Sequence, residues 1–338
     1  MQSIRITSFD VAEAAGVSQS TVSRALAGAP TITEVTRRRV EAAAARLGYH
    51  VDSRAARLRT GRTGTLAVVV IGRAGKDATR VSAFHYALLG STCAAAAERG
   101  FQSLLSFQSE SNQFTWSYTA HGEADGLIVM GTSVNREAWA DLRRADPAGP
   151  VALWGAPFDD GRWVRADNAV GAHLAVSRLA AAGHRHIAFL GSVDTAHPQF
   201  SERFEGYRAA LAARGLRSRP PMEVADDDRI AGGKAATLQF LASEEPPDAI
   251  FAANDAIALG AIEALAEAGI CVPDQVGVVG FDGLPAAEHS NPPLTTVEPD
   301  FGEAGRALVS RIFDHSKAEV VRRISVRLID RGSVRPPR

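Results

Sequence analysis

DVAEAAGVSQSTVSRALAG, residues 10–28, holds two short apolar repeats divided by a glycine. Thr7 can cap a first helix whose apolar positions Val11, Ala14 and Ala15 recur at helical spacing. Gly16 supplies the backbone angles of a tight turn, Val17 plugs the angle between the helices, and Ser18 caps the second helix. That helix, Gln19 to Leu26, buries Val22, Ala25 and Leu26 and presents Gln19, Ser20, Thr21, Ser23 and Arg24 on its other face. A third helix starts at the Thr33 cap, runs through Val35, Val40, Ala43, Ala44 and Leu47, and stops at Gly48. Two short helices joined by a glycine turn form a helix-turn-helix, whose second helix enters the DNA major groove N-terminus first.

Charge agrees with that reading. Residues 1–62 carry ten Arg, no Lys and five acids, a net +5, whereas the whole chain of 338 residues has a formal charge of −1. A basic head on an acidic body suits a polyanion partner at one end only. With 46% apolar and 22% charged residues the chain is neither disordered nor a disulfide scaffold. Cys93 and Cys271 match no metal-ligand spacing and read as buried, inert thiols in a reducing compartment. The N-terminus has no unbroken apolar stretch of a signal peptide, and no run approaches a membrane span, so a cytoplasmic protein is expected.

Residues 49–62, YHVDSRAARLRTGR, are basic, lack a broad apolar face and read as a linker or a conditional helix. From Thr65 onward buried strands alternate with helices. Strands are expected at Leu66–Ile71, Gln102–Phe107, Gly126–Met130, Val151–Trp154, Ile187–Leu190, Ala249–Ala252 and Val276–Gly280, with helices over 86–99, 171–182, 203–214, 232–242 and 256–268. Runs such as LAVVV and GLIVM are apolar throughout, as in a parallel sheet covered on both faces. The reading is a small all-α head and a doubly wound α/β body.

The opening DVAEAAGVSQSTVSRALAG, the VTRRRVEAAAARLGYH helix and AARLRTGRTGTLAVVV resemble the LacI/GalR family of bacterial transcription regulators. The body adds, in the family's order, GHRHIAFLG at 183–191, ERFEGYRAAL at 202–211, ANDAIALGA at 253–261, VPDQVGVVGFD at 272–282 and PPLTTV at 292–297. The resemblance implies a body like a two-lobed periplasmic sugar-binding protein. It divides the chain into a DNA-binding head at 1–48, a hinge at 49–63 and an effector-binding and dimerisation body at 64–338. The N-lobe would take about 64–163 and 296–321, and the C-lobe about 164–295 and 322–338.

The resemblance also implies residue roles. Gln19, Ser20 and Arg24 would read base edges, a bidentate Gln–adenine or Arg–guanine pair discriminating by about 1–3 kcal/mol. Thr7, Ser18, Thr21, Ser23 and Thr33 would lie against the DNA, mostly on phosphates, and set the register. In the hinge, Leu58 would wedge into the minor groove while Ala55 lets paired hinge helices approach. Asp52 and Val51 stand where the family commonly has Asn and Pro. The partners implied are a palindromic operator, a second copy of the chain and a small-molecule effector, with no tetramer through the C-terminus and no cofactor or metal.

For the effector, Phe84, Arg203, Asn254 and Asp282 match the family's contact positions. Arg203 offers a planar five-donor fork, and Asp282 can accept two hydroxyl hydrogen bonds. Each has a plainer reading: Asn254 or Asp167 can cap a helix, and Arg203 can pair with Glu202 or Glu205. The run Asp226-Asp227-Asp228-Arg229 is acidic where many sugar-responsive members stack an aromatic, which brings in Trp116 and Trp154 beside Phe84 as replacement walls. No activated nucleophile, G-x-S-x-G or phosphate-cradling loop occurs, so no catalytic residue is expected. A sugar-released repressor is the reading. A regulator with a purine-like co-repressor is the alternative, and a periplasmic-type solute receptor a remoter one.

Overall fold

The computed structural model describes residues 6–49, 62–158, 163–194, 197–225, 228–313 and 321–337. The chain divides into two units, Met1–Thr63 and Gly64–Arg338. Ala55, Leu58, Val51 and Asp52 lie outside the described residues, as do Asp226 and Asp227.

The head comprises α1 (Ser8–Ala15), α2 (Gln19–Leu26) and α3 (Glu34–Leu47). At the start of α1 the Thr7 amide and hydroxyl both donate to the Asp10 carboxylate at 2.7 Å. Gly16 takes a left-handed φ of 61°, which ends α1 and lets the Val17 amide donate back to the Ala12 carbonyl at 3.0 Å. Ser18 then accepts from the Thr21 amide at 3.2 Å and opens α2, and Thr33 does the same for α3 through Thr36. One valine from each helix, Val11, Val22 and Val40, is buried at 0% exposure and forms the centre of the small core. Ala12 takes the buried place expected of Ala14, because the face of α1 turned inward is 11, 12 and 15. Val35, in the first turn of α3, stands 79% exposed.

The body is built on two sheets. The first runs in the order β10–β5–β4–β3–β1–β2 and the second β11–β9–β8–β7–β6. Their strands are β1 (Thr65–Ile71), β2 (Gln102–Gln108), β3 (Gly126–Gly131), β4 (Val151–Trp154), β5 (Trp163–Ala166), β6 (Ile187–Leu190), β7 (Ala249–Ala252), β8 (Gly277–Phe281), β9 (Thr295–Pro299), β10 (Val321–Ile324) and β11 (Val326–Ile329). All pairings are parallel except β11 with β9. The apolar runs of β1 and β3 are wholly buried, whereas β2, at the sheet edge, is half exposed. The helices are α4 (Ala83–Glu98), α5 (Arg136–Ala145), α6 (Asn168–Ala181), α7 (Pro198–Ala212), α8 (Arg229–Leu241), α9 (Asp255–Glu267), α10 (Pro285–Glu288) and α11 (Phe301–Phe313).

The seven expected strands are present to within one residue, and the five expected helices begin one to five residues earlier than read. Polar or aromatic first turns, such as Pro198-Gln199-Phe200 on α7, hid those starts. Helices α5, α10 and α11 and strands β5, β9, β10 and β11 were not anticipated. The strands among them are four or five residues long and carry Arg or Glu, as in Trp163-Val164-Arg165-Ala166, so no continuous apolar run marks them. Cys271 does not meet the expectation of a buried thiol, because it is exposed once the chain folds.

These unanticipated strands move the lobe boundaries. Strand β5 lies whole in the first sheet, so the first crossing comes after Ala166 rather than at 163/164. Strand β9 belongs to the second sheet, which puts the return after Pro299 rather than at 295/296. Strand β10 is in the first sheet and β11 in the second, so the last crossing is at Ser325, not 321/322. The crossings are laced together: the Asp167 amide donates to the Ile324 carbonyl at 2.9 Å and the Asp300 amide to the Ser325 carbonyl at 3.0 Å.

Candidate functional site

In the head, the face expected to read DNA is the exposed side of α2. Ser20 and Arg24 are exposed, and Gln19, Thr21 and Ser23 are half-buried. Gln19 Nε2 donates to Ser8 Oγ at 3.1 Å, and Arg24 Nε donates to the Ser20 carbonyl at 3.3 Å, so both side chains lie along the surface of the helix pair. Ser18, Ser20 and Thr21 share hydroxyl contacts of 2.8–2.9 Å at the N-terminus of α2. That end of a helix, with its unpaired amides and positive dipole, favours an anion such as a phosphate.

In the body, a cavity of about 460 Å³ opens between the ends of strands and helices of both lobes, within the range of small-molecule sites. Four of the expected effector residues line it: Phe84, Arg203, Asn254 and Asp282. Phe84 comes from the first turn of α4 in the N-lobe, and the other three come from the C-lobe. Asn254 follows β7 and Asp282 follows β8, at the carboxyl ends of parallel strands where open α/β sheets place ligands.

Each of these residues is held in place. Arg203 is 3% exposed, stacks over the Phe281 ring at 3.6 Å, and donates through Nε to Asn168 Oδ1 at 2.8 Å and through Nη1 to the Ala253 carbonyl. Its guanidinium lies 3.7 Å from Asp282. Arg203 pairs with neither Glu202 nor Glu205 among the described contacts; Glu202 turns instead to Arg165 at 2.8 Å and Arg323 at 3.2 Å. Asn254 does cap α9, accepting from the Ile257 amide at 3.0 Å, and Asp167 caps α6 through the Val170 amide at 3.1 Å. Asn254 thus lines the cavity and caps a helix at once.

Asp282 adopts a φ of 122°, where side chains other than glycine are strained. Its amide donates to the Val297 carbonyl at 2.8 Å, which holds it there. Burial pushes its carboxyl up to about 6, against the opposing pull of Arg203 and Arg229. Beneath it Asp255 is fully buried and pushed up to about 8 by desolvation and by Asp282, although Thr296 Oγ1 and the Leu284 amide, the latter at 2.7 Å, donate to it. Across the cavity His85 is held neutral, down at about 4, by desolvation and the Arg229 charge.

The two tryptophans are not cavity walls. Trp116 is packed in the N-lobe core with Phe114, and its Nε1 donates to Asp141 at 2.9 Å. Its neighbour Thr115 is tied to Gln108 at the end of β2, the Thr115 amide donating to Gln108 Oε1 at 3.1 Å. Trp154 is 1% exposed and lies behind Phe84, ring centroids 5.8 Å apart. The aromatic wall is supplied by Phe84 and by Phe200 of α7, a residue the sequence reading missed. It also passed over Arg73, Arg80 and Arg229 as cavity residues. The signal available for the first two was their place in the loop directly after β1, at the carboxyl end of a parallel strand. Among the described residues no group of three or more His, Cys, Asp or Glu could hold a metal. None of their helices is long and apolar enough to cross a membrane.

A helix-turn-helix head and a two-lobed body with a cleft at its strand ends define a ligand-responsive DNA-binding protein. Residues 9–52 match the family model of bacterial regulatory proteins of the lacI family, and residues 176–334 match the periplasmic binding protein-like domain. The HTH-type transcriptional regulator CelR of Thermobifida fusca is 33% identical over 91% of this chain and 91% of its own length. Among solved structures, a CelR–cellobiose complex is 30% identical with a TM-score of 0.68, over 97% of this chain and all of that one. The lac repressor dimer bound to operator and the anti-inducer ONPF is 25% identical with a TM-score of 0.76, over 98% and 99% of the two chains. The chain belongs to the LacI family of bacterial transcriptional regulators.

Proposed function

We propose that this regulator is a homodimeric repressor that holds a palindromic operator and releases it when a sugar enters the body cleft. The observation that carries the reading is the meeting of Phe84 from one lobe with Arg203, Asn254 and Asp282 from the other around one cavity of about 460 Å³. An aromatic face, a guanidinium fork, an amide and a carboxylate together satisfy the ring face and the hydroxyls of a sugar. The cellobiose complex of its CelR relative supports a sugar, and the operator-bound lac repressor dimer supports paired heads on DNA. Acting on DNA places the protein in the cytoplasm.

In this reading Gln19, Ser20 and Arg24 contact bases. Thr7, Ser18, Thr21, Ser23 and Thr33 contact phosphates, and Ala55 and Leu58 form the paired hinge. A single helix-turn-helix reads too few bases to be selective, so two are needed. Leu105 on edge strand β2 and Tyr86 on α4 are 47% and 45% exposed, apolar surface that a second body would cover. Release arises from differential binding: a ligand favouring one lobe arrangement about 100-fold shifts the equilibrium by about 2.7 kcal/mol. A chain of contacts suits that coupling. Arg203 bonds Asn168, Asn168 Nδ2 bonds Glu202 at 2.7 Å, and Glu202 pairs with Arg165 on β5 and Arg323 on β10, both in the N-lobe sheet.

The test is fluorescence anisotropy on labelled DNA from upstream of the protein's own gene, against scrambled competitor, with pools of sugars, sugar derivatives and purines. Competitor-resistant binding abolished by a sugar pool is the expected result. Binding lost equally to scrambled DNA would overturn the operator reading, and binding strengthened by purines would overturn the sugar-released one.

A further inference from the structure

One residue beyond Asn254 stands Asp255, the first residue of α9, an acid buried at 0% exposure. Its neighbours Asn254 and Ala256 line the cavity, and Asp255 does not. Asn254 already caps α9, accepting from the Ile257 amide at 3.0 Å, so the helix needs no second acid at its start. A carboxyl taken wholly out of water is costlier than an apolar side chain of its size unless its oxygens are met. Two groups distant in sequence meet this one: the Leu284 amide donates to Oδ2 at 2.7 Å, and Thr296 Oγ1 donates to Oδ1.

Those two groups frame the turn that carries Asp282. Strand β8 ends at Phe281, and the three amides that follow are all engaged. Asp282 donates to the Val297 carbonyl at 2.8 Å, Gly283 to Thr296 Oγ1 at 3.4 Å, and Leu284 to Asp255. The turn needs such anchoring, because Asp282 sits at a φ of 122°, a shape that persists only where the surroundings hold it. Gly280 of β8 shows how closely the acid packs on the strand: a Cβ there would meet Asp255 Oδ1 at 2.3 Å. Thr296 is itself 0% exposed and lies on β9. Asp255 thus joins the start of α9, the turn after β8 and strand β9, where Asn254 and Asp282 reach the cavity.

We propose that Asp255 is a positioning residue for effector recognition: by accepting from the Leu284 amide and the Thr296 hydroxyl it holds the turn after β8 in its strained shape, with Asp282 at the cavity beside Asn254. That role rests on the sugar reading of the cleft and deepens it by a residue that does not touch the ligand. The carboxyl serves through its two oxygens and short reach rather than through its charge. Asparagine meets the same partners, its carbonyl accepting from Leu284 and its amide donating to the Thr296 hydroxyl, which can accept as well as donate. Alanine meets neither and strands a buried amide.

Hydrogen exchange followed by mass spectrometry on the full chain reads the turn without any ligand. Asp255→Ala should speed exchange at the amides of Asp282, Gly283 and Leu284 tenfold or more, and Asp255→Asn should stay within threefold of the parent. Calorimetry with glucose, galactose, ribose and cellobiose then reads recognition. The affinity of whichever sugar binds the parent should fall tenfold or more in Asp255→Ala and stay within threefold in Asp255→Asn. Combining Asp255→Ala with Asp282→Asn should cost no more than the weaker-binding single variant, since residues acting as a unit are not additive. Thermal melts and binding to the upstream DNA confirm folding. Should Asp255→Ala fail to fold, Thr296→Val carries both measurements, with Thr296→Ser as its rescue. An unmoved turn, or a loosened turn with unchanged sugar affinity, would overturn the positioning role and leave the sugar reading standing. Asparagine as damaging as alanine would overturn it too, by making the charge the requirement. If the parent bound none of the four sugars, the sugar reading would fall and the recognition role with it, whatever the exchange showed.

Discussion

Arg203 is 3% exposed, so its charge is tolerated only because Asn168, the Ala253 carbonyl and Asp282 surround it. Removing it strands those partners, and breaking a buried pair from one side costs about 3–5 kcal/mol. Arg203→Ala is expected to lower stability in urea melts and to cut effector affinity tenfold or more. Arg203→Lys, which keeps the charge but not the fork, should fold better and still bind effector poorly, with operator affinity within twofold of the parent. Asp282 adds a pH dependence. Its carboxyl is raised from 3.8 to about 6, so the folded state takes up a proton more readily than the unfolded chain. That contribution to stability is present at low pH and lost as pH rises between those values. Hydroxyl donors need the ionised form, so effector affinity should weaken as pH drops below about 6, approaching tenfold per unit, and Asp282→Asn should flatten the profile. Calorimetry between pH 5 and 8 decides it. The sequence alone made Arg203, Asn254 and Asp282 legible, because each sits in a block that resembles a family motif, and Phe84 because it stands where the first cleft helix begins. It could not place Phe200 or Arg229, which reach the cavity only because α7 and α8 begin earlier than their apolar pattern shows.

Among the elements, α8 and α9 cross where two glycines meet backbone. A Cβ on Gly260 would collide with the Ile230 carbonyl, and one on Gly233 with that of Ile257. Ile230 is the second residue of α8, directly after Arg229, so spacing between these helices sets where that arginine stands. Gly260→Ala should force the pair apart and destabilise the body by about 1–3 kcal/mol in urea denaturation. It should also weaken effector binding while leaving the head's DNA contacts intact. Effector affinity equal to that of the parent would show that α8 does not position the cleft. The strands tell a similar story about legibility. Those with unbroken apolar runs, such as β1 and β3, announce themselves because both faces are covered. The crossing strands β5, β9 and β10 mix Arg or Glu with apolar residues, since one side of each faces ion pairs at the lobe junction, as Arg165 and Arg323 do with Glu202.

For the whole molecule, the proposed function requires the cleft and the head to be separable in mutation and coupled in the intact dimer. Leu58→Ala is expected to weaken operator binding in a competition titration by tenfold or more, at unchanged effector affinity. Normal operator affinity would remove the minor-groove wedge from the account. Raising salt from 50 to 200 mM should lower operator affinity steeply, because the +5 charge of residues 1–62 acts through phosphate contacts that release counterions. Effector binding to the body should respond far less. The two parts differed in how much their sequence decided. The helix-turn-helix was determined locally: Thr7, Gly16, Ser18 and Thr33 fix the ends of three short helices, and valines at helical spacing fill their small core. The alternation of apolar runs with helices likewise determined a parallel α/β body. What only the tertiary structure decided was where the chain passes between the lobes and which side chains share the cavity. Those depend on contacts between residues far apart in sequence, such as Asp167 with Ile324 and Arg203 with Ala253, and on desolvation that exists only once both lobes are packed.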